Sequence, residues 1–215
     1  MTSTDFNLRS ATVLPREFYD RDPAVVGREL LGKLLIRREG RKLLAGRIVE
    51  DEAYLGARDP ASHAFSGPTP RNSVMFGPPG YAYVYFIYGN HYCLNVCCLP
   101  PGIAGAVLLR AMEPVAGLEA MAEARGLDAS ALVRASQLRL VSSGPGRMAE
   151  ALDVTRERDN GKDLTSRRSD LWFADDGFRP EKIVVTPRIG INKAIDEPLR
   201  FVVAGSPYVS GKRLP

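Results

Sequence analysis

Val25, Val26, Leu30 and Leu31 fall at helical spacing behind Asp22-Pro23, an N-cap residue followed by proline at the first helical position. The pattern then changes period. Residues 33–37 and 43–49 read as strands joined by a turn around Glu39-Gly40-Arg41. Residues 57–79 lose all periodicity and hold five of the chain's 16 prolines, which predicts a long loop. Loops of that length inside a compact domain are usually functional. Residues 81–87 and 92–98 predict two strands around a Gly89-Asn90 turn, a strong hairpin signal. Residues 106–111 predict a further strand. Helices are expected over 118–125, over 130–140, and from Ser143-Gly144-Pro145-Gly146 through Leu152. Short strands are expected at 182–186 and 199–203, with irregular ends at 1–14 and 212–215.

Strands and helices mixed in this order predict an α+β fold with an antiparallel-rich sheet. No internal repeat or linker divides the chain, so residues 1–215 are expected to form a single domain. Its 45% hydrophobic and 25% charged residues are ordinary for a globular protein and leave ample material for a core. No apolar run approaches the length of a membrane span, and the first residues lack the basic and apolar regions of a secretory signal. Cys93, Cys97 and Cys98 are odd in number and crowded, which argues for a reducing compartment rather than a disulfide framework. The net charge of +4, with basic residues clustered at 156–168 and at Lys212-Arg213, is compatible with a polyanion partner, although most such runs are simply solvated surface.

The chemistry concentrates between Glu50 and Asn95. Glu50, Glu52 and Tyr54 lie two apart and share one face of a strand, while Asp51 and Ala53 point the other way. A carboxylate against an aromatic wall is partly desolvated and poised to polarise a water. Spacing does not choose between Glu50 and Glu52. Arg110, at the end of an apolar strand, reads as a carboxylate partner. Five tyrosines stand between positions 81 and 92, more than a core strand requires. Tyr54, His63 and Tyr85 can line a slot that stacks on a flat base, at roughly 1–3 kcal/mol per stack. Tyr88 abuts the hairpin turn, where a bulky ring can fill the gap left by a displaced base. Asn95 carries an amide able to read a base edge. The two histidines stand far from the cysteines, so no zinc spacing is present and no metal or cofactor is expected; no phosphate-cradling glycine motif occurs either.

Several long stretches, taken in order, resemble the alkyladenine (3-methyladenine) DNA glycosylases. They are Arg47-Ile48-Val49-Glu50-Asp51-Glu52-Ala53-Tyr54-Leu55-Gly56, His63, Thr69-Pro70-Arg71-Asn72, Tyr83-Val84-Tyr85-Phe86-Ile87-Tyr88-Gly89, Leu108-Leu109-Arg110-Ala111-Met112-Glu113-Pro114, Ser143-Gly144-Pro145 and Gly205-Ser206-Pro207-Tyr208-Val209-Ser210. The resemblance runs from about Pro15 to Gly211. It implies a single compact α+β domain without helix-hairpin-helix elements, in which helices surround a curved sheet and a β-hairpin protrudes. It implies excision of damaged purines from double-stranded DNA: 3-methyladenine, 7-methylguanine, and as further candidates hypoxanthine and ethenoadenine.

Carried over by position, Glu52 is the general base, Arg110 its partner on the water, and the Val209 carbonyl the third side of that water site. Tyr54, His63, Tyr85 and Asn95 form the base pocket, with Asn95 excluding guanine. Tyr88 is the intercalating wedge, and Arg147 and Ser206 contact phosphate. The expected protein is a monomer, without membrane contact, acting in the cytoplasm or nucleoid, or in the nucleus of a eukaryote. The Gly89-Asn90-His91 tip is more polar than the family pattern, and the long basic N-terminal extension of some relatives is missing. No lysine adjoins Glu52, so no Schiff-base step is implied. The competing class is a non-catalytic nucleic-acid-binding module built on the aromatic hairpin; a hydrolase of free nucleosides fits the wedge and basic runs poorly.

Overall fold

The computed structural model describes residue 8, residues 10–87, residue 89 and residues 91–211. Its centre is a curled nine-stranded sheet in which every pairing is antiparallel. The strands are β1 (Thr12–Val13), β2 (Leu34–Glu39), β3 (Lys42–Tyr54), β4 (Ala82–Ile87), β5 (His91–Cys97), β6 (Ala106–Ala116), β7 (Leu171–Asp175), β8 (Ile183–Thr186) and β9 (Arg200–Val203). The main order is β1-β7-β2-β3-β6-β5-β4, with β9 pairing β3 and β8 pairing β9. Among the described residues the α-helices are α1 (Arg16–Tyr19), α2 (Pro23–Leu30), α3 (Leu118–Ala124), α4 (Ala135–Ser142), α5 (Pro145–Ala151) and α6 (Arg156–Asp159).

Helix α2 begins as expected, with Pro23 in its first turn and the Asp22 side chain accepting from the Ala24 N–H at 2.9 Å. Val26 and Leu30 are buried, but Val25 is 45% exposed, because adjacent helical residues point about 100° apart. The helix lies on the sheet face opposite the cavity described below. It shares one core with Ile48, Leu94, Leu109, Met148, Phe173 and Phe201.

Strand β3 organises the molecule. It runs on to Tyr54, past the expected end, because β6 pairs along one of its edges while β2 and then β9 pair along the other. Ile48 lies opposite Met112, Glu50 opposite Ala111, and Asp51 opposite Leu109. Val49 and Arg110 are therefore each left without a ladder partner, and the register on both sides of the irregularity is the same. Such paired bulges bend a strand and free a side chain from the ladder. The Gly144 N–H donates to the Arg110 carbonyl at 2.9 Å and so ties the start of α5 to this spot.

Several elements differ from expectation. Helix α4 starts at Ala135, because Asp128 caps a 3-10 turn over Ala129–Ala131 and the Gln137 side chain accepts from the Val133 and Arg134 N–H groups. Strand β7 and helices α1 and α6 have no counterpart in the sequence reading, and β1 lies in a stretch expected to be irregular. The loop 57–79 contains one complete 3-10 turn, Ser73–Phe76, and the end of another, Gly56–Arg58. Helix α6 and the loop after it are fixed to β2 by ion pairs. The fully buried Arg37 meets Asp159 at 2.7 Å and Asp170 at 3.3 Å, and Arg158 meets Asp170 at 2.9 Å. Burial pushes the Asp170 carboxyl up, but Lys162, Arg158 and Arg37 override it and hold it at about 2. The three cysteines are free and buried. No helix among the described residues is long and apolar enough to cross a membrane.

Gly56 turns the chain from the end of β3 toward His63. Its φ is +63°, and an added Cβ would collide with the Ala104 carbonyl oxygen. The left-handed conformation alone costs a side-chain-bearing residue about 1–2 kcal/mol. Gly56→Ala is therefore expected to lower the urea midpoint clearly and to slow any reaction that depends on Tyr54 and His63. A midpoint equal to the wild type would show that this corner relaxes freely.

Candidate active site

A cavity of about 370 Å³ opens on the sheet face away from α2. Alternation along the strands builds its walls. Tyr83, Tyr85 and Ile87 face it from β4, His91, Cys93 and Asn95 from β5, and Leu108 and Arg110 from β6. Tyr54 closes the end of β3, and His63 comes from the long loop. The first residues of α5 and residues 189–191 complete the rim.

Arg110 is where the carboxylates converge. Its Nη1 lies 3.1 Å from Glu52 Oε1, and its Nε donates to Glu50 Oε1 at 2.8 Å. Both glutamates are fully buried, yet their partners differ. Glu50 accepts from Arg110, from Arg200 Nε at 2.8 Å, and from both the hydroxyl and the N–H of Ser210, at 2.8 and 2.5 Å. Glu52 accepts from the Tyr54 hydroxyl at 2.9 Å and from the Ile189 N–H at 2.8 Å, both residues of the cavity wall. Glu50 is an anchor held by three residues, whereas Glu52 hangs from the cavity's own lining. Burial pulls the Arg110 pKa down, but Glu52 and Glu50 override it and keep the guanidinium firmly charged. Burial, then the Glu52 carboxylate, drives the Tyr54 phenol well up, so its hydroxyl stays a donor.

Asp51 points the other way, as the alternation predicts, and packs under Gly27 of α2. It is fully buried, and neither carboxyl oxygen meets a hydrogen-bond partner among the described residues. Burial, reinforced by Glu50 and Glu52, pushes it well above the ordinary carboxyl range.

Tyr54, His63 and Tyr85 line the cavity together. His63 stands 4.6 Å from Tyr85, edge to face, and its Nδ1 lies 2.9 Å from the Tyr83 hydroxyl. Burial, then the nearby Arg71 cation, pulls the His63 pKa down, which favours the neutral imidazole. Burial, then Cys93, drives the Tyr85 phenol up. Asn95 lies opposite Tyr83 and donates to its carbonyl at 3.1 Å, so its amide belongs both to the sheet and to the cavity wall. Arg147 is exposed at the rim. Ser206 sits in the turn after β9, its hydroxyl accepting from the Tyr208 N–H at 3.3 Å, and lies outside the cavity wall. Tyr88, the expected wedge, falls outside the described residues, as does Asn90 of the hairpin tip.

The Val209 carbonyl accepts from Arg139 Nη2 at 3.0 Å and from the Ser143 hydroxyl at 3.2 Å. Sequence reasoning missed Tyr83 as the partner of His63, and Arg200 and Ser210 as the partners of Glu50. It missed Arg188, which sits behind Tyr54 with its guanidinium carbon 4.7 Å from the ring centre. The available signal was a single arginine between Pro187 and Gly190, amid apolar residues.

Comparison with known proteins bears on the same residues. Residues 17–207 match the family model described as Methylpurine-DNA glycosylase (MPG). The chain is 64% identical over 207 residues to a protein of Koribacter versatilis (strain Ellin345) named "Putative 3-methyladenine DNA glycosylase", covering 96% of this chain and 97% of that one. A protein of the same name from Methanoculleus marisnigri (strain ATCC 35101 / DSM 1498 / JR1) is 49% identical over 201 residues, covering 92% and 98%. Another from Alkaliphilus oremlandii (strain OhILAs) is 42% identical over 203 residues, covering 93% and 99%.

Proposed function

The chain belongs to the methylpurine-DNA glycosylase family, and from that premise we propose that it hydrolyses the N-glycosidic bond of a damaged purine turned out of duplex DNA. The proposed substrates are 3-methyladenine and 7-methylguanine, with hypoxanthine and ethenoadenine as further candidates. The observation that carries the mechanism is the meeting of Glu52, Arg110 and Tyr54 at the cavity.

In this reading the purine enters the slot between Tyr54 on one side and Tyr85 and His63 on the other. Alkylation at N3 or N7 makes the base cationic and a better leaving group. As the bond lengthens, the sugar gains oxocarbenium character. Glu52 stabilises that charge and removes a proton from the attacking water. Arg110 orients the water and pairs with Glu52. The Val209 carbonyl, held by Ser143 and Arg139, is assigned the third side of the water site. The neutral His63 imidazole offers its second nitrogen to the base edge. Asn95, held by the Tyr83 carbonyl, is assigned the exclusion of guanine, whose exocyclic amine would clash with it or go unpaired. The intercalating role of Tyr88 rests on its place beside the turn in the sequence.

The direct test is release of free 3-methyladenine from methylated duplex DNA, separated by chromatography. A protein that only binds DNA releases none, and that result would overturn the reading. Arg147 and Ser206 are assigned to phosphates, which carry no base identity. Each neutralised phosphate adds roughly −0.9 to the slope of log K against log salt on B-DNA. Arg147→Ala is expected to flatten that slope by about one such step and to weaken all sequences alike. An unchanged slope would make Arg147 a solvated surface charge.

A further inference from the structure

We infer that Arg188, clamped by Asp59, is a positioning residue for this hydrolysis: it fixes Glu52 and Tyr54 from behind the cavity wall. The inference rests on the glycosylase reading above. Arg188 is almost fully buried and contributes no wall to the cavity. Its Nη1 and Nη2 fork onto the two oxygens of Asp59, at 2.5 and 2.9 Å, and Nη1 also donates to the Ala53 carbonyl at 3.0 Å.

Three parts of the site hang from this pair. The first is Tyr54, whose ring lies against the guanidinium. The second is Glu52, because the residue after Arg188 supplies the Ile189 N–H that holds Glu52 Oε1. The third is the corner that leads to His63. Asp59 accepts from the Leu55 N–H at 3.1 Å and the Ala61 N–H at 3.0 Å, so its carboxylate sets the path of the chain on both sides. Burial pushes the Asp59 carboxyl up, but Arg188 and these N–H groups override it and keep it charged.

A buried cation away from the cavity reads at first as a fold staple. The geometry says more, because the fork links the Tyr54 ring, the donor to Glu52 and the loop to His63 in one rigid unit. A lysine keeps the charge but has neither the fork nor the flat face that stacks on a ring. A shift of the general base by a fraction of an ångström acts on the chemical step, while affinity for an abasic-site analogue, which places no base in the slot, is largely kept.

Arg188→Lys and Asp59→Asn are compared with wild type in two measurements. One is the single-turnover excision rate on a duplex with one 7-methylguanine. The other is affinity for the same duplex carrying an abasic-site analogue. The expected result is a rate lower by 10-fold or more for each variant, with affinity within about 2-fold, and a double variant no worse than the poorer single one. A folded variant with the wild-type rate overturns the inference, as does a parallel fall in rate and affinity, which marks a purely structural pair. Should one variant fail to fold, the other decides on the same criteria. Wild-type protein that releases no base overturns the functional reading itself, a result distinct from either failure of the pair.

Discussion

Glu52→Gln is expected to lower the single-turnover excision rate by about 10²–10⁴-fold, the usual contribution of a positioned general base, while lesion binding stays near wild type. The amide fits where the carboxylate sits. Its oxygen can still accept from the Ile189 N–H and from Arg110, and its NH2 can turn toward the Tyr54 hydroxyl oxygen. What it lacks is the negative charge opposite the developing sugar cation and the basicity to take a proton. The measurement pairs quenched-flow excision with fluorescence anisotropy on a lesion-containing duplex. A Glu52→Gln protein that excises at the wild-type rate would remove Glu52 from the mechanism.

Glu50→Ala is expected to act on folding instead. Glu50 is the only carboxylate that Arg200 meets among the described ion pairs, and it is one of two that meet Arg110. Its removal leaves the buried Arg200 without a carboxylate and Arg110 with Glu52 only, and breaking a buried pair from one side costs about 3–5 kcal/mol. A domain of this size is stable by about 5–15 kcal/mol, so the loss is a large share of the total. Urea unfolding should show it, together with a low soluble yield, whereas Glu52→Gln should unfold close to wild type. A folded Glu50→Gln protein that is inactive, beside an active Glu52→Gln, would exchange the two roles.

The contrast between the two glutamates shows how far sequence reasoning reaches. A period of two places Glu50, Glu52 and Tyr54 on one face and Asp51 on the other, and the structure keeps that alternation. It cannot rank Glu50 against Glu52, because their difference lies in partners 150 or so residues away, Arg200 and Ser210. The hairpins were legible because glycine marks their turns, at Gly40 and Gly89, both with positive φ. Strand β7 was not. Leu171-Trp172-Phe173-Ala174 is buried throughout, between β1 and β2, so it shows no alternation to read. Arg188 escaped because a lone charge in a Pro- and Gly-rich loop reads as solvated, while only the folded chain brings Asp59 to it.

Asp51, buried beneath α2 without a hydrogen-bond partner among the described residues, couples folding to a proton. The folded chain holds this proton more tightly than the unfolded chain, whose aspartates titrate near 3.8. By linkage, acidification toward that value draws the chain into the folded state through Asp51, and raising the pH withdraws that support. Asp170 has the opposite sign: its stabilisation is present above 3.8 and is lost as the pH falls through about 2. Two aspartates of one fold thus set opposing slopes that meet near 3.8, the value both share in the unfolded chain.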